Sequence, residues 1–337
     1  MKRRKRLVLL YGGEGEEHEV SLKGAEYVLP LINREKYSVL KIKIERTGEW
    51  FAILGRGRKL PAYPVRLGTR AYMQVGQERL RIDLCLPLLH GRCGEDGRVQ
   101  GLLSVLGIPF VGCDTVSGAV CFDKHYTKLV ARSVGAPVAE GISLPAELKG
   151  EECLELIEQR VGYPAFIKPR RQGSSVGVSL ARHRGELLCA LESARAYGEG
   201  GILAEEALCD KRELEVAYLC YGGNEIVTPP GEIFCRGTYG YNEKYSGTTL
   251  TQAVADIPSS IAEQAREYTL LLAHALGVRT LGRFDFFLEG DRLLFNEVNT
   301  FPGFTRDSLY PQMMRAWGLS EGELVDILLE SAYAGNT

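Results

Sequence analysis

The sequence predicts an α/β fold built in two styles: a parallel sheet with flanking helices over the first third, then antiparallel sheets with helices packed on one side. Three observations carry this expectation. Apolar strand-like runs alternate with amphipathic helix-like stretches up to about Leu106, the pattern of a parallel sheet. From about Cys121 onward the strands lengthen and return on themselves, as hairpins do. Two early strands run into polar, Gly-rich segments, YGGEGEEHEVS and LLHGRCGEDG, which belong at the carboxyl edge of the sheet, where ligands of open α/β sheets collect.

Taken in order, the first strand covers Arg6 to Tyr11 and a helix follows over Val20 to Ile32. Strands over Tyr37 to Ile44 and Asp83 to Leu88 come next, then a helix from about Arg98 to Leu106. In the later part, Tyr163 to Lys168 is followed by Ser175 to Leu180, and Leu214 to Cys220 returns through Tyr221-Gly222-Gly223-Asn224 to Glu225. The main boundary falls near residue 120, and no repeat or low-complexity stretch interrupts the chain.

A length of 337 residues allows two or three structural units, each with a core of its own. With 25% charged residues and a formal net charge of −2, nothing pulls the chain as a whole toward nucleic acid or an anionic membrane. The basic start, Lys2 to Arg6, precedes an apolar run of only five residues, Leu7 to Tyr11, too short for a signal-peptide core or a membrane span. It reads as the solvated entry to the first strand. The nine cysteines are odd in number and scattered, without C-x-x-C or zinc spacing, so a reduced cytoplasmic protein is expected and Cys93 reads as a small filler.

The strongest local signal is RFDFFLEGDRLLFNEVNTFPG, residues 283 to 303. Two apolar strands flank Glu289-Gly290-Asp291. If Leu288 faces Arg292 across that three-residue loop, Arg283, Asp285, Glu297 and Asn299 project from one face; a two-residue loop breaks the relation. Two carboxylates and an amide oxygen beside a guanidinium suit Mg²⁺, which keeps waters and phosphate oxygens in its other positions. Alone, the segment also fits a solvated edge hairpin with an ordinary salt bridge.

Four further segments point the same way, each with a plainer alternative. FIKPRRQGSSVGVS delivers Lys168 into a Gly-Ser-Ser turn whose N–H and hydroxyl groups at Ser174 and Ser175 can close on phosphate; the Walker pattern is absent, and an ordinary turn has the same composition. In FDKHYTKLVARSVGAPVA, Asp123 caps a helix and Lys124 opposes its dipole unless an anion sits nearby, although exposed lysines also occur there. Glu205, Glu206 and Glu213 stand at strand ends, where they can accept hydrogen bonds from adenine or ribose or simply face water. The loop 234–250, with Lys244 and Tyr245, reads as a lid aimed at phosphate and substrate, or as a plain connection.

In this order the segments resemble the ATP-grasp superfamily, and within it the D-alanine:D-alanine ligase family, which includes D-alanine:D-lactate and D-alanine:D-serine ligases. The likeness spans nearly the whole chain. GGEGEEHEVSL is similar to the family's amino-terminal signature, LLHGRCGEDGRVQGLL to its second, and GRFDFFL with NEVNTFPGFTRDSLYP to its carboxyl-terminal one; KPRRQGSSVGV and NEKY add to the match. The resemblance implies a pre-ATP-grasp α/β domain over 1–121 and a two-part ATP-grasp α+β domain, central over 122–207 and carboxyl-terminal over 208–337, with the lid at 234–250. It implies that ATP phosphorylates the carboxylate of one D-alanine and that the amine of a second attacks the acyl phosphate, for peptidoglycan precursor synthesis. A cytoplasmic homodimer is implied as well.

The resemblance also assigns roles. Asp285, Glu297 and Asn299 would hold two Mg²⁺, with Mn²⁺ as a substitute. Lys124, Lys168, Ser174, Ser175 and Lys244 would surround the phosphates, Glu205 and Glu213 would meet adenine and ribose, and the backbone near Glu206 and Leu208 would read the adenine edge. Glu17 would pair with the ammonium of the first D-alanine, with His90 nearby. Arg283 and the Gly303 N–H would stabilise the oxyanion of the tetrahedral species. The Ser308 hydroxyl and the Leu309 N–H, close to Lys244, would hold the second carboxylate. Glu17, Ser174 and Tyr245 would pin the lid and exclude water.

Tyr245 and Leu309 favour D-alanine as acceptor over D-serine and D-lactate, because family members with other acceptors lack the lid pair or often carry arginine at the position of Leu309. Two departures from the pattern stand out: Gly15 replaces a serine, and the charged pair Arg306-Asp307 precedes Ser308. A ligase for another carboxylate and amine, or a nucleotide-binding regulator without turnover, are the competing expectations. The second would leave Arg283, Glu17 and Ser308 without a task.

Overall fold

The computed structural model describes residues 3–148, 150–197, 200–234 and 250–333. Its first block runs β1 (Lys5–Gly12), α1 (His18–Val28), β2 (Tyr37–Ile44), β3 (Trp50–Ile53), β4 (Lys59–Leu67), β5 (Arg70–Val75), β6 (Glu78–Arg81), β7 (Leu84–Leu88) and α2 (Arg98–Leu106). The sheet order is β6-β5-β4-β3-β2-β1-β7. β1 pairs in parallel with β2 and β7, as the sequence predicts. Beyond β2 the sheet continues as an antiparallel meander, so the first sheet is mixed rather than purely parallel. The meander escapes a reading by apolar runs because β4 carries Pro61 and Pro64 and is largely open to solvent, as is β6. Pro30, which has no N–H to donate, falls where α1 gives way to a single 3₁₀ turn, Leu29–Leu31, short of the expected end at Ile32.

The second block comprises α3 (Thr115–Phe122), α4 (Lys124–Ser133), β8 (Gly141–Leu144), α5 (Glu151–Arg160), β9 (Ala165–Pro169), β10 (Ser179–Ala181), α6 (Arg184–Tyr197) and β11 (Ile202–Glu206). Its strands form an antiparallel sheet in the order β10-β9-β11-β8, with Ile157, Leu187 and Leu191 packed on Ile167 and Ile202. The third block holds β12 (Arg212–Tyr221), β13 (Asn224–Val227), β14 (Gly231–Phe234), β15 (Leu250–Gln252), α7 (Ser259–Leu276), β16 (Leu281–Glu289), β17 (Arg292–Asn299), α8 (Leu309–Trp317) and α9 (Glu321–Ser331). Its antiparallel path is β15-β14-β12-β16-β17, with β13 on β12 through the predicted turn.

β1 is buried on both sides, and this decides where the site lies. Val8 and Leu10 pack with Val99 and Leu103 of α2, whereas Leu7 and Leu9 join Leu309, Met313, Leu324 and Leu328 of α8 and α9. The last helices therefore close over one face of the first sheet. That closure brings the loops after β1 and β7 against the segment after β17. Among the described residues no helix is long and apolar enough to cross a membrane.

Candidate active site

The β16–β17 hairpin turns through Gly290-Asp291, with Glu289 opposite Arg292, so the three-residue loop of the sequence reading is corrected to two residues. That turn alone would split Asp285 from Glu297. The register then shifts between Asp285 and Phe286: Phe286 faces Phe295, but Asp285 faces Glu297 and Arg283 faces Asn299. Asn296 is the extra residue of a β-bulge, and it returns all four side chains to one face. A contact from outside the hairpin lies beside the bulge. Phe295 donates its N–H to the Pro137 carbonyl at 2.7 Å and buries its ring against Phe284 and Phe286.

β12 extends the row, since Glu215 is the register partner of Asp285. Arg283 donates Nε and Nη2 to the two oxygens of Asp285, each at 2.7 Å, and its Nε lies 3.1 Å from Glu215 Oε1. Burial works against that charge, but the Asp285 and Glu215 carboxylates hold Arg283 well above its ordinary value. Asn299 Nδ2 donates to Asp285 Oδ2 at 3.0 Å, and Lys124 Nζ lies 3.1 Å from Glu297 Oε2. The anion that Lys124 needs at a helix start is therefore Glu297, with Asp123 capping α4 as predicted.

A cavity of about 630 Å³ opens beside this row. Its wall carries Lys124, Lys168, Ser174, Ser175, Glu205, Glu206, Leu208, Glu213, Asp285 and Glu297, so predicted phosphate and adenine residues and two of the three predicted metal residues converge there; Asn299 is not part of that wall. Lys124 donates to the Gln172 carbonyl at 2.6 Å. Lys168 donates to Glu205 Oε2 at 2.7 Å, while the other Glu205 oxygen takes a short bond from Lys128. Both carboxylate oxygens of Glu205 are thus engaged by lysines, and despite burial the two ammonium groups hold it down to about 2. Lys211 lies 3.6 Å above the Phe287 ring and bonds Glu213 at 2.7 Å.

The end of the site predicted to take substrate is assembled from loops. Ser174 and Ser175 adopt φ of 51° and 57°, a left-handed conformation unusual for serine, and Ser174 Oγ donates to Glu17 Oε1 at 2.5 Å. Two glycines make room for Glu17: a Cβ on Gly91 would lie 2.0 Å from its Oε2, and one on Gly173 would lie 3.1 Å from its carboxylate. His90 Nδ1 faces the Phe301 carbonyl at 3.0 Å, which places the ring proton on Nδ1, and burial holds the imidazole below its ordinary value. Ser308 precedes α8 without capping it; its hydroxyl accepts from Thr305 N at 3.0 Å, and a Cβ on Gly303 would come within 3.0 Å of it. Leu309 buries its side chain in the central core and opens a helix whose first N–H groups lack intrahelical partners. Arg306 and Asp307 are exposed. Lys244 and Tyr245 lie outside the described residues.

Sequence reasoning missed three acidic or basic groups. Lys128 lies one turn beyond Lys124 on α4, a spacing that points both to one side of the helix. Glu215 alternates with Glu213 along β12. Glu95 stood inside the LLHGRCGEDG segment: it accepts from Gly91 N at 2.9 Å and Phe301 N at 3.1 Å, tying the two loops together, while burial and then the Glu17 carboxylate push it up to about 8.

Among the described residues no group of three or more His, Cys, Asp or Glu side chains is arranged as a metal cluster. The donors here are instead two register-paired carboxylates and an amide, with lysines alongside. Such a set fits a hard divalent cation that brings phosphate oxygens and water as its remaining ligands. It does not fit a closed all-protein cage.

Known proteins resemble this chain along nearly its whole length. The family model described as D-ala D-ala ligase N-terminus matches residues 6–113, and D-ala D-ala ligase C-terminus matches residues 130–330. A D-alanine--D-alanine ligase of Sodalis glossinidius is 38% identical, covering 98% of this chain and 96% of the relative. One from Caldicellulosiruptor bescii is 33% identical with the same coverage, 98% and 96%. Among solved structures, the VanG D-Ala:D-Ser ligase from Enterococcus faecalis superposes with a TM-score of 0.88 at 32% identity, covering 98% of this chain and 100% of that one. The D-alanine-D-alanine ligase from Coxiella burnetii gives 0.88 at 28% identity, covering 99% and 95%. The chain belongs to the D-alanine:D-alanine ligase family.

Proposed function

We propose that this enzyme joins two D-alanines to D-alanyl-D-alanine, with ATP as phosphoryl donor, for peptidoglycan precursor synthesis. The observation that carries the reading is the bond from Ser174 to Glu17, which sets an ammonium-binding carboxylate against the wall of the lysine-lined cavity. Glu17 holds the first amino acid by its ammonium, and Lys124, Lys168 and the Gly173-Ser174-Ser175 turn hold the phosphates in line with its carboxylate. Glu213 and the backbone at Glu206 to Leu208 take ribose and adenine, with Glu205 close behind Lys168. Two Mg²⁺, held by Asp285, Glu297 and Asn299, would neutralise phosphate charge when bound.

The carboxylate oxygen of the first D-alanine takes the γ-phosphoryl group and ADP leaves. The second D-alanine, its carboxylate held by the Ser308 hydroxyl and the Leu309 N–H, attacks the carbonyl with its amine. Arg283 and the Gly303 N–H stabilise the oxyanion, and phosphate departs as the peptide bond forms. Lys244 and Tyr245 complete the lid in this reading. The three-part division at about 121 and 207, a cytoplasmic location and a homodimer follow the family's pattern.

ADP should form only when D-alanine is present, with the dipeptide as the organic product by mass; nucleotide turnover indifferent to D-alanine would overturn the reading. A second reading, D-serine as acceptor, draws support from the structural likeness to the VanG enzyme. Competition among D-alanine, D-serine and D-lactate decides it, and Leu309 favours D-Ala-D-Ala as the dominant product.

A further inference from the structure

Lys128 is a buried lysine that lies behind the proposed phosphate site. It stands on α4, one helical turn beyond Lys124, and its ammonium meets one oxygen of Glu205 while Lys168 Nζ meets the other at 2.7 Å. All three side chains are nine-tenths buried or nearly so, at 8%, 2% and 10% exposure. Of the three, Lys168 and Glu205 reach the cavity wall. Two cations around one carboxylate leave the group with a single surplus positive charge. Without Lys128, Glu205 and Lys168 would form a neutral pair, and in a site of low polarity a neutral pair attracts phosphate far less than a surplus cation does.

We propose that Lys128 is a positioning residue for nucleotide phosphate: by sharing Glu205 it keeps Lys168 from being neutralised and leaves one positive charge for ATP or ADP. The inference rests on the reading of Lys168 as a phosphate ligand. It adds a residue that touches neither nucleotide nor amino acid and acts only through Glu205. Burial disfavours the charged Lys128, pushing it down to about 8, and the Glu205 carboxylate is the main force opposing that loss.

The test is calorimetric binding of ADP and of adenosine to the whole enzyme. Lys128→Met should weaken ADP binding by about tenfold or more and leave adenosine, which has no phosphate, within about twofold. Lys128→Arg should restore ADP binding. Charge balance makes a further demand that packing does not: the double variant Lys128→Met, Glu205→Gln again has one surplus cation and should recover most of the lost preference for ADP over adenosine. A double variant no better than Lys128→Met, or equal losses for ADP and adenosine, would overturn the proposal. Should Lys128→Met fail to fold, Lys128→Gln carries the same test, because it too removes the charge while keeping a polar group beside Glu205, and ADP binding within about twofold of wild type contradicts the charge argument. Lys168→Met separates the two levels. If it abolishes the preference for ADP over adenosine while Lys128→Met changes nothing, only the inference fails; if it too changes nothing, the phosphate reading itself fails.

Discussion

The two ends of the site are built differently. The proposed metal and phosphate end grows from neighbouring strands: Glu215, Asp285 and Glu297 sit side by side across β12, β16 and β17, and their geometry is fixed by backbone pairing. The proposed substrate end is made of loops from separate blocks, with Glu17 joined to Ser174 and Glu95 to Phe301 across 157 and 206 residues of chain. A strand-built site tolerates little change of side chain because its charges are packed in register. A loop-built site is held by a few hydrogen bonds, and each of those can be weakened separately.

Three substitutions sharpen the contrast, from the largest effect to the smallest. Glu297→Gln removes the partner of Lys124 and one of the two carboxylates proposed to hold the metal, so kcat should fall by about a hundredfold or more with the thermal midpoint nearly unchanged. Steady-state rates near wild type would remove Glu297 from the site. Ser308→Ala, at the loop-built end, should raise KM for the second D-alanine by about tenfold and leave KM for ATP alone, one charge-assisted hydrogen bond being worth about that much. A parallel rise in both constants would mean that Ser308 supports the fold rather than the acceptor.

Glu95→Gln tests the tie between the loops. Even when protonated, a carboxyl group keeps an oxygen toward each of the two backbone N–H groups, whereas an amide turns its NH2 donor against one of them, so stability should drop by about 1–3 kcal/mol, read as a lower denaturation midpoint. The pH dependence has a definite sign. Because burial and Glu17 push the folded-state pKa of Glu95 up to about 8, above the ordinary carboxylate value, the folded chain holds more protons than the unfolded one between those limits. Its contribution to stability is fully present below the unfolded pKa and is lost as pH rises through about 8. The wild-type midpoint should therefore fall between pH 5.5 and 8.5 by more than that of Glu95→Gln. Equal shifts would show that Glu95 does not titrate in this window.

The same contrast explains what the sequence revealed. The parallel pairing of β1, the α2 span and the β16–β17 members of the carboxylate row were legible because apolar periodicity and residue type carry them. The shared face of Arg283, Asp285, Glu297 and Asn299 was reached through the wrong loop length, and it survives because the Asn296 bulge offsets the shorter turn. Beside that bulge Phe295 donates to Pro137, far away in sequence, a contact that no periodicity encodes. Lys128, Glu215 and Glu95 were illegible for the same reason, since each gains its meaning from a partner on another element. Lys244 and Tyr245, the predicted lid pair, lie outside the described residues.

One measurement bears on the whole site at once, because it reads the reacting oxygen itself. With D-alanine labelled by ¹⁸O in its carboxylate, activation through an acyl phosphate carries one labelled oxygen from the first D-alanine into the inorganic phosphate released with each dipeptide. Labelled phosphate in step with D-alanyl-D-alanine is the result expected of a site in which the lysines and carboxylates deliver the γ-phosphoryl group to the amino acid held by Glu17. Dipeptide accompanied by unlabelled phosphate would contradict it.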